Sequence, residues 1–189
     1  MSSPFLPSPS SSTLLVIDVQ ERLLPAIPSD EHGAIVKHVS NLVSLYGDFA
    51  GDVAFTEQYP RGLGPTVAPL ATLLSALPPE RPARRLEKVA FSACQADGFD
   101  LLGVRQDVVL VGMEAHVCVL LTGLDLLQRG HRVFLPFDAV ASRRPAARDN
   151  GLALLRQAGA TVINTETLVF ATLHKAGGDT FKKFSALIR

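Results

Sequence analysis

Six short apolar runs alternate with helical patterns along this chain, and that alternation limits the folds open to it more than any other feature. The runs are TLLVIDV (13–19), DVAFTE (52–57), RRLEKVAF (84–91), DVVLVGM (107–113), HRVFLPFD (131–138) and ATVINT (160–165). TLLVIDV lacks the polar–apolar alternation of a strand with one wet face, so it reads as a strand covered on both sides. Between the runs, HGAIVKHVSNLVSLYGDFA places Ile35, Val36, Val39, Leu42, Val43 and Leu45 near one helical face. VCVLLTGLDLLQRG ends at Gly130 and AARDNGLALLRQAG at Gly159, both suitable helix-stop glycines. The βαβα order predicts a three-layer, doubly wound α/β sandwich with right-handed crossovers around a mainly parallel six-stranded sheet of order 3-2-1-4-5-6.

The 189 residues are 47% hydrophobic, enough for a sizeable core, and their formal net charge is +0. No global field would draw such a chain to nucleic acid or to an anionic membrane, so the expected partner is a small molecule. The most apolar long window, 108–127, is interrupted by Glu114, His116 and Asp125, which argues against a membrane span. Two cysteines, Cys94 and Cys118, cannot build a disulfide framework, and a reducing, cytoplasmic setting is expected. MSSPFLPSPSSS (1–12) is Ser/Pro-rich without the features of a signal peptide and is expected to be a flexible tail. Residues 13–189 are expected to form one domain, since the proline-rich stretch 76–85 only separates a short helix from a short strand.

In doubly wound sheets, ligands gather beyond the carboxyl ends of the strands, so polar residues there merit attention. Asp18 emerges where the first run ends, although an aspartate in that place is commonly a turn or helix cap. Cys118 stands at the start of a helix, where the dipole and orphan N–H groups favour a thiolate. It could equally be a small buried hydrophobe. Lys88 interrupts the third run; a lone lysine is usually solvated surface, yet beside Cys118 its ammonium would lower the thiol pKa.

In their surroundings, LLVIDVQ, LEKVAFSA and VGMEAHVCV, these three residues resemble the isochorismatase-like cysteine hydrolase superfamily. TEQYPRGLGPT, GMEAHVCVLLTGLDLLQRGH and FDAVASR resemble its small isochorismatase domain-containing, YcaC-like subgroup. The resemblance implies that Cys118 is a nucleophile forming a thioester with a small amide or related C–N acyl substrate. Asp18 would take the thiol proton and pass it to the leaving amine, and Lys88 would orient Asp18. It further implies an oxyanion hole built from the backbone N–H groups of Glu114 and Cys118, with a cis peptide at Met113–Glu114. The Glu114 carboxylate is then expected to face solvent or a neighbouring subunit, in a homo-oligomer that is a dimer or tetramer.

Nicotinamidases in that superfamily hold a metal with Asp and His after the second strand; FTEQYPRGLGPT has no histidine, so no metal and no cofactor are expected. Gln58, Tyr59 and Phe91 are candidate pocket residues, as is His116, although its nearness in sequence to Cys118 does not establish a Cys–His pair. Two other readings are a thiol-based redox or sensor protein and a catalytically idle oligomeric scaffold.

Overall fold

The computed structural model describes residues 5–188. β1 (Ser12–Ile17) lies at the centre of the sheet, flanked by β2 (Asp52–Gln58) and β4 (Asp107–Met113), with β3 (Arg84–Lys88) at one edge. On the other side come β5 (Arg132–Pro136) and β7 (Thr161–Ile163), and every strand pairing is parallel. The sheet has seven strands. The additional one, β6 (Val140–Ala141), pairs with the end of β4 at Gly112 and Met113, beyond the reach of β5. Its two residues are too few to show any periodicity, which is why only six strands are expected from sequence.

The strands lack polar alternation because both faces are covered. Leu14 and Val16 join one core layer, under α1 (Ser29–Asp48), α3 (Ala68–Ser75), α6 (Thr165–Leu173) and α7 (Gly178–Leu187), while the single turn α2 (Pro60–Leu63) follows β2. Leu15 and Ile17 join the other, under α4 (Cys118–Gln128) and α5 (Pro145–Gln157). The expected helix stops hold, with Gly130 at φ +87° and Gly159 at φ +110°.

The expected flexible tail requires a correction. Residues 1–4 lie outside the described residues, but Pro7 and Pro9 are buried, Pro9–Ser11 form a 3-10 turn and Ser12 opens β1. The Ser12 hydroxyl bonds the buried Tyr46 hydroxyl at 2.7 Å and donates to the Ser8 carbonyl at 2.7 Å. A stretch with little aliphatic side chain is thus ordered by proline packing and hydroxyl hydrogen bonds.

β1 leads to β2 on one side, whereas the later strands add on the other, so strand order reverses between β1 and β4. A crevice opens at such a switch point. It lies between the segment after Ile17 and the segment after Met113. Gly112, at φ +110°, allows the close approach there, because a Cβ would overlap the Ile17 carbonyl. Among the described residues, no helix is long and apolar enough to cross a membrane.

Candidate active site

Asp18 follows β1 in a left-handed conformation, φ +49°, with its side chain fully buried. That conformation is costly for a residue with a Cβ and is held here by several partners. The Asp18 N–H donates to the Thr56 carbonyl, and Oδ1 accepts from the Thr56 hydroxyl at 2.6 Å. Oδ2 accepts from Lys88 Nζ at 2.7 Å, a pair in which neither side chain is exposed. Lys88 reaches Asp18 from the end of β3, across β2, and also donates to Gln58 Oε1 at 2.7 Å and to the carbonyls of Ala90 and Phe91. A buried ammonium needs this much compensation.

Cys118 is the first residue of α4 and is 7% exposed. Burial pushes its thiol up to about 12, the negative charge of Asp18 adds to the rise, and Lys88 opposes it. This corrects the expectation of a pre-formed thiolate. The helix start and Lys88 are in place, but desolvation and a carboxylate keep the resting thiol protonated. The structure thus brings Asp18, Lys88 and Cys118 into one electrostatic group.

The turn joining β4 to α4 carries the cis peptide Met113–Glu114. Within it, Val117 and Val119 donate to the Glu114 carbonyl and Leu121 to that of Val117. Among the described residues, the N–H groups of Glu114 and Cys118 have no hydrogen-bond acceptor within the protein, Glu114 lying past the end of β4 and Cys118 at the first position of α4. The Glu114 carboxylate does not face solvent as expected. It is buried and accepts from Arg143, at 2.8 and 3.1 Å from Nε and 3.0 Å from the backbone N–H. Burial would raise its pKa, but the hydrogen bonds and charge of Arg143 prevail and hold it below the ordinary carboxylate value.

The pocket candidates divide. Gln58 is a partner of Lys88, with its other amide end donating to the Val89 carbonyl at 2.8 Å. Gln20 holds Gln58 in turn, accepting from its N–H at 2.8 Å and donating to its carbonyl and that of Gly64, at 3.1 and 2.6 Å. Tyr59 and Phe91 are exposed. Tyr59, with Arg61, Val89 and Asp97, lines a cleft of about 440 Å³ that has Lys88 at its inner wall. His116 is directed to Ser142, its Nδ1 3.0 Å from the hydroxyl, and forms no dyad with the thiol.

At the end of β2, Gln58 has its amide committed to Lys88 and Val89. Among the described residues, no three His, Cys, Asp or Glu side chains cluster to hold an ion. The residues present do not fit a divalent cation. Thr56, Gln20 and Arg143 were not singled out from sequence, although TEQYP, LLVIDVQ and FDAVASR contain them.

Comparison with known proteins fits this geometry. The isochorismatase domain family matches residues 12–167. Human isochorismatase domain-containing protein 2 is 35% identical over 183 residues, spanning 96% of this chain and 84% of that protein. The structure of MAR1 ribonuclease from Caenorhabditis elegans aligns with a TM-score of 0.84 and 33% identity, covering 97% of this chain and 92% of that one. YcaC from Pseudomonas aeruginosa aligns with a TM-score of 0.80 over 98% of this chain and 96% of that one; at 20% identity this is a likeness of fold. The chain belongs to the isochorismatase family of hydrolases.

Proposed function

We propose that the protein is a metal-independent cysteine hydrolase that cleaves a small amide or related C–N acyl substrate through a thioester. The observation that carries this reading is a protonated thiol beside a buried carboxylate whose other partners, Lys88 and Thr56, fix its orientation. As Cys118 Sγ bonds to the substrate carbonyl carbon, its proton moves to Asp18 and the carbonyl π pair moves onto oxygen. The N–H groups of Glu114 and Cys118 receive that oxyanion. Its collapse breaks the C–N bond, and Asp18 returns the proton to the departing nitrogen. Water then attacks the thioester carbon and gives a proton to Asp18. The S–C bond breaks, the acid leaves, and the proton on Asp18 restores the thiol. No cofactor enters these steps.

A redox sensor would be better served by a low-pKa thiolate than by a thiol pushed up to about 12. The C. elegans relative bears the name ribonuclease. A net charge of +0 offers no field for a phosphodiester chain, which favours the small acyl substrate here. The free state of Cys94 and Cys118 supports a cytoplasmic setting. The exposed apolar residues Val89 and Phe91 beside the Lys88 segment support a homo-oligomer, a dimer or tetramer that sedimentation would reveal.

The test is incubation with an amide library and with p-nitrophenyl acetate, followed by mass mapping. Acyl adducts on Cys118, absent from Cys118→Ala and unaffected by EDTA, are expected. Amide turnover that persists in Cys118→Ala, or RNA cleavage without acyl transfer, would overturn the reading.

A further inference from the structure

We infer that Arg143 is a positioning residue for the oxyanion-binding turn, acting through the buried carboxylate of Glu114. The inference rests on the cysteine-hydrolase reading above, because it assigns work to the turn that carries the two unpaired N–H groups.

Three successive residues of that turn are gripped by three successive residues at the end of β6. Ala115 N–H donates to the Ala141 carbonyl at 2.8 Å, His116 Nδ1 lies 3.0 Å from the Ser142 hydroxyl, and Glu114 is bound by Arg143. The last contact is of a different order from the others. Arg143 supplies Nε, Nη2 and its backbone N–H to one carboxylate, engaging both carboxylate oxygens. Bidentate pairing fixes angle as well as distance, so it constrains the residue bearing the carboxylate more than a single hydrogen bond would. The Glu114 side chain is 8% exposed and the Arg143 side chain 56%. The carboxylate is therefore the anchored member, and the arginine clasps it from the rim. From the other side, α5 backs the turn through Gly151, where a Cβ would stand 2.6 Å from the Ala115 carbonyl oxygen. The backbone between these supports has little room to tilt. Its first N–H, that of Glu114, belongs to the residue Arg143 holds.

An ion pair with a half-exposed arginine ordinarily contributes little to stability. Its work here is geometric, because a donor displaced by a fraction of an ångström loses much of its stabilisation of an oxyanion while the thiol beside it is untouched. Two reactions of Cys118 separate these effects. Acetylation by p-nitrophenyl acetate passes through an oxyanion, whereas alkylation by iodoacetamide displaces iodide and needs no oxyanion donor.

In Arg143→Ala, Cys118 acetylation should slow by about ten- to a hundredfold, with alkylation changed by less than about twofold. Millimolar methylguanidinium should restore part of the acetylation rate. Glu114→Gln keeps the size of the side chain and should show the same selective slowing, and it carries the test if Arg143→Ala does not fold by circular dichroism. Equal slowing of both reactions, or of neither, in a folded variant would overturn the positioning role. Normal alkylation of wild-type Cys118 with no acetylation would instead overturn the nucleophile reading, and the role of Arg143 with it.

Discussion

Cys94 and Cys118 are both buried and both free, the first packed against α4 and the second its first residue, yet their surroundings differ in kind. Cys94 sits in the 3-10 turn Ala93–Gln95, which is tied to α4 by the Ala93 N–H to the Thr122 hydroxyl and by Ser92 to Asp125. Burial raises its thiol to about 11, against some lowering by Arg129. Cys118 is raised further, to about 12, by burial together with Asp18. Acidity alone would therefore mark Cys94 as the more reactive. What sets Cys118 apart is a buried carboxylate and ammonium beside the thiol and two N–H groups without a protein acceptor in the turn before it, which is the setting the proposed acyl transfer would use. A thiol held protonated until substrate arrives is also protected from adventitious oxidation.

The largest effect should come from exchanging the two cysteines' fates. Cys118→Ala is expected to abolish acyl transfer, a loss on the order of a thousandfold or more, because the covalent route disappears. Cys94→Ala should keep the wild-type rate and show only a modest loss of melting temperature. Initial rates with p-nitrophenyl acetate measure the first, and thermal denaturation the second. A large activity loss in folded Cys94→Ala would erase the contrast.

Next in size is Asp18→Asn, which should slow acyl transfer by about 10²- to 10⁴-fold while making Cys118 alkylate faster at pH 8. The signs are opposite for a physical reason. Asp18 raises the thiol pKa, so replacing it with a neutral amide lets the thiolate form at lower pH, but nothing remains to carry the proton to the leaving amine. Lys88→Met should move alkylation the other way, since the cation that lowers the thiol pKa is gone. It also leaves Asp18 buried without its ion pair, a loss of about 3–5 kcal/mol that should show as a lower melting temperature. Iodoacetamide rates against pH for the two variants and wild type would sharpen or break this pairing. Alkylation shifted in the same direction by both would mean that the charges do not act on the thiol as described.

The positions of Asp18 and Cys118 were legible from local sequence, where an apolar run ends and where a helix begins, whereas Lys88 stood out only because it interrupts the third run. The same signals made six of the seven strands and the central helices readable. What escaped was set by contacts between distant segments. β6 exists because residues 140–141 reach the end of β4, and Arg143 matters because Glu114, 29 positions earlier, is buried beneath it. The state of the Cys118 thiol is not readable from sequence for a related reason. A helix dipole can be read from position, whereas the depth of burial and the approach of Asp18 depend on the assembled crevice.

The smallest predicted effect tests how far the difference between the two thiols extends from the site. Gln58 appeared from sequence to line the pocket, but its side-chain oxygen takes a hydrogen bond from Lys88 and its amide nitrogen gives one to Val89. Gln20 pairs with both backbone groups of Gln58, extending the hydrogen bonding of β1 past the point where that strand stops. Gln58→Met keeps much of the volume and removes both side-chain bonds. Lys88 retains Asp18 and two carbonyls, so the buried pair should persist with looser aim. Acyl transfer to Cys118 should fall by about three- to tenfold, through kcat and not KM, if Gln58 acts through Lys88. Cys94 alkylation should not change. A rise in KM at constant kcat would return Gln58 to the substrate pocket, and the cleft beside Tyr59 would then include it.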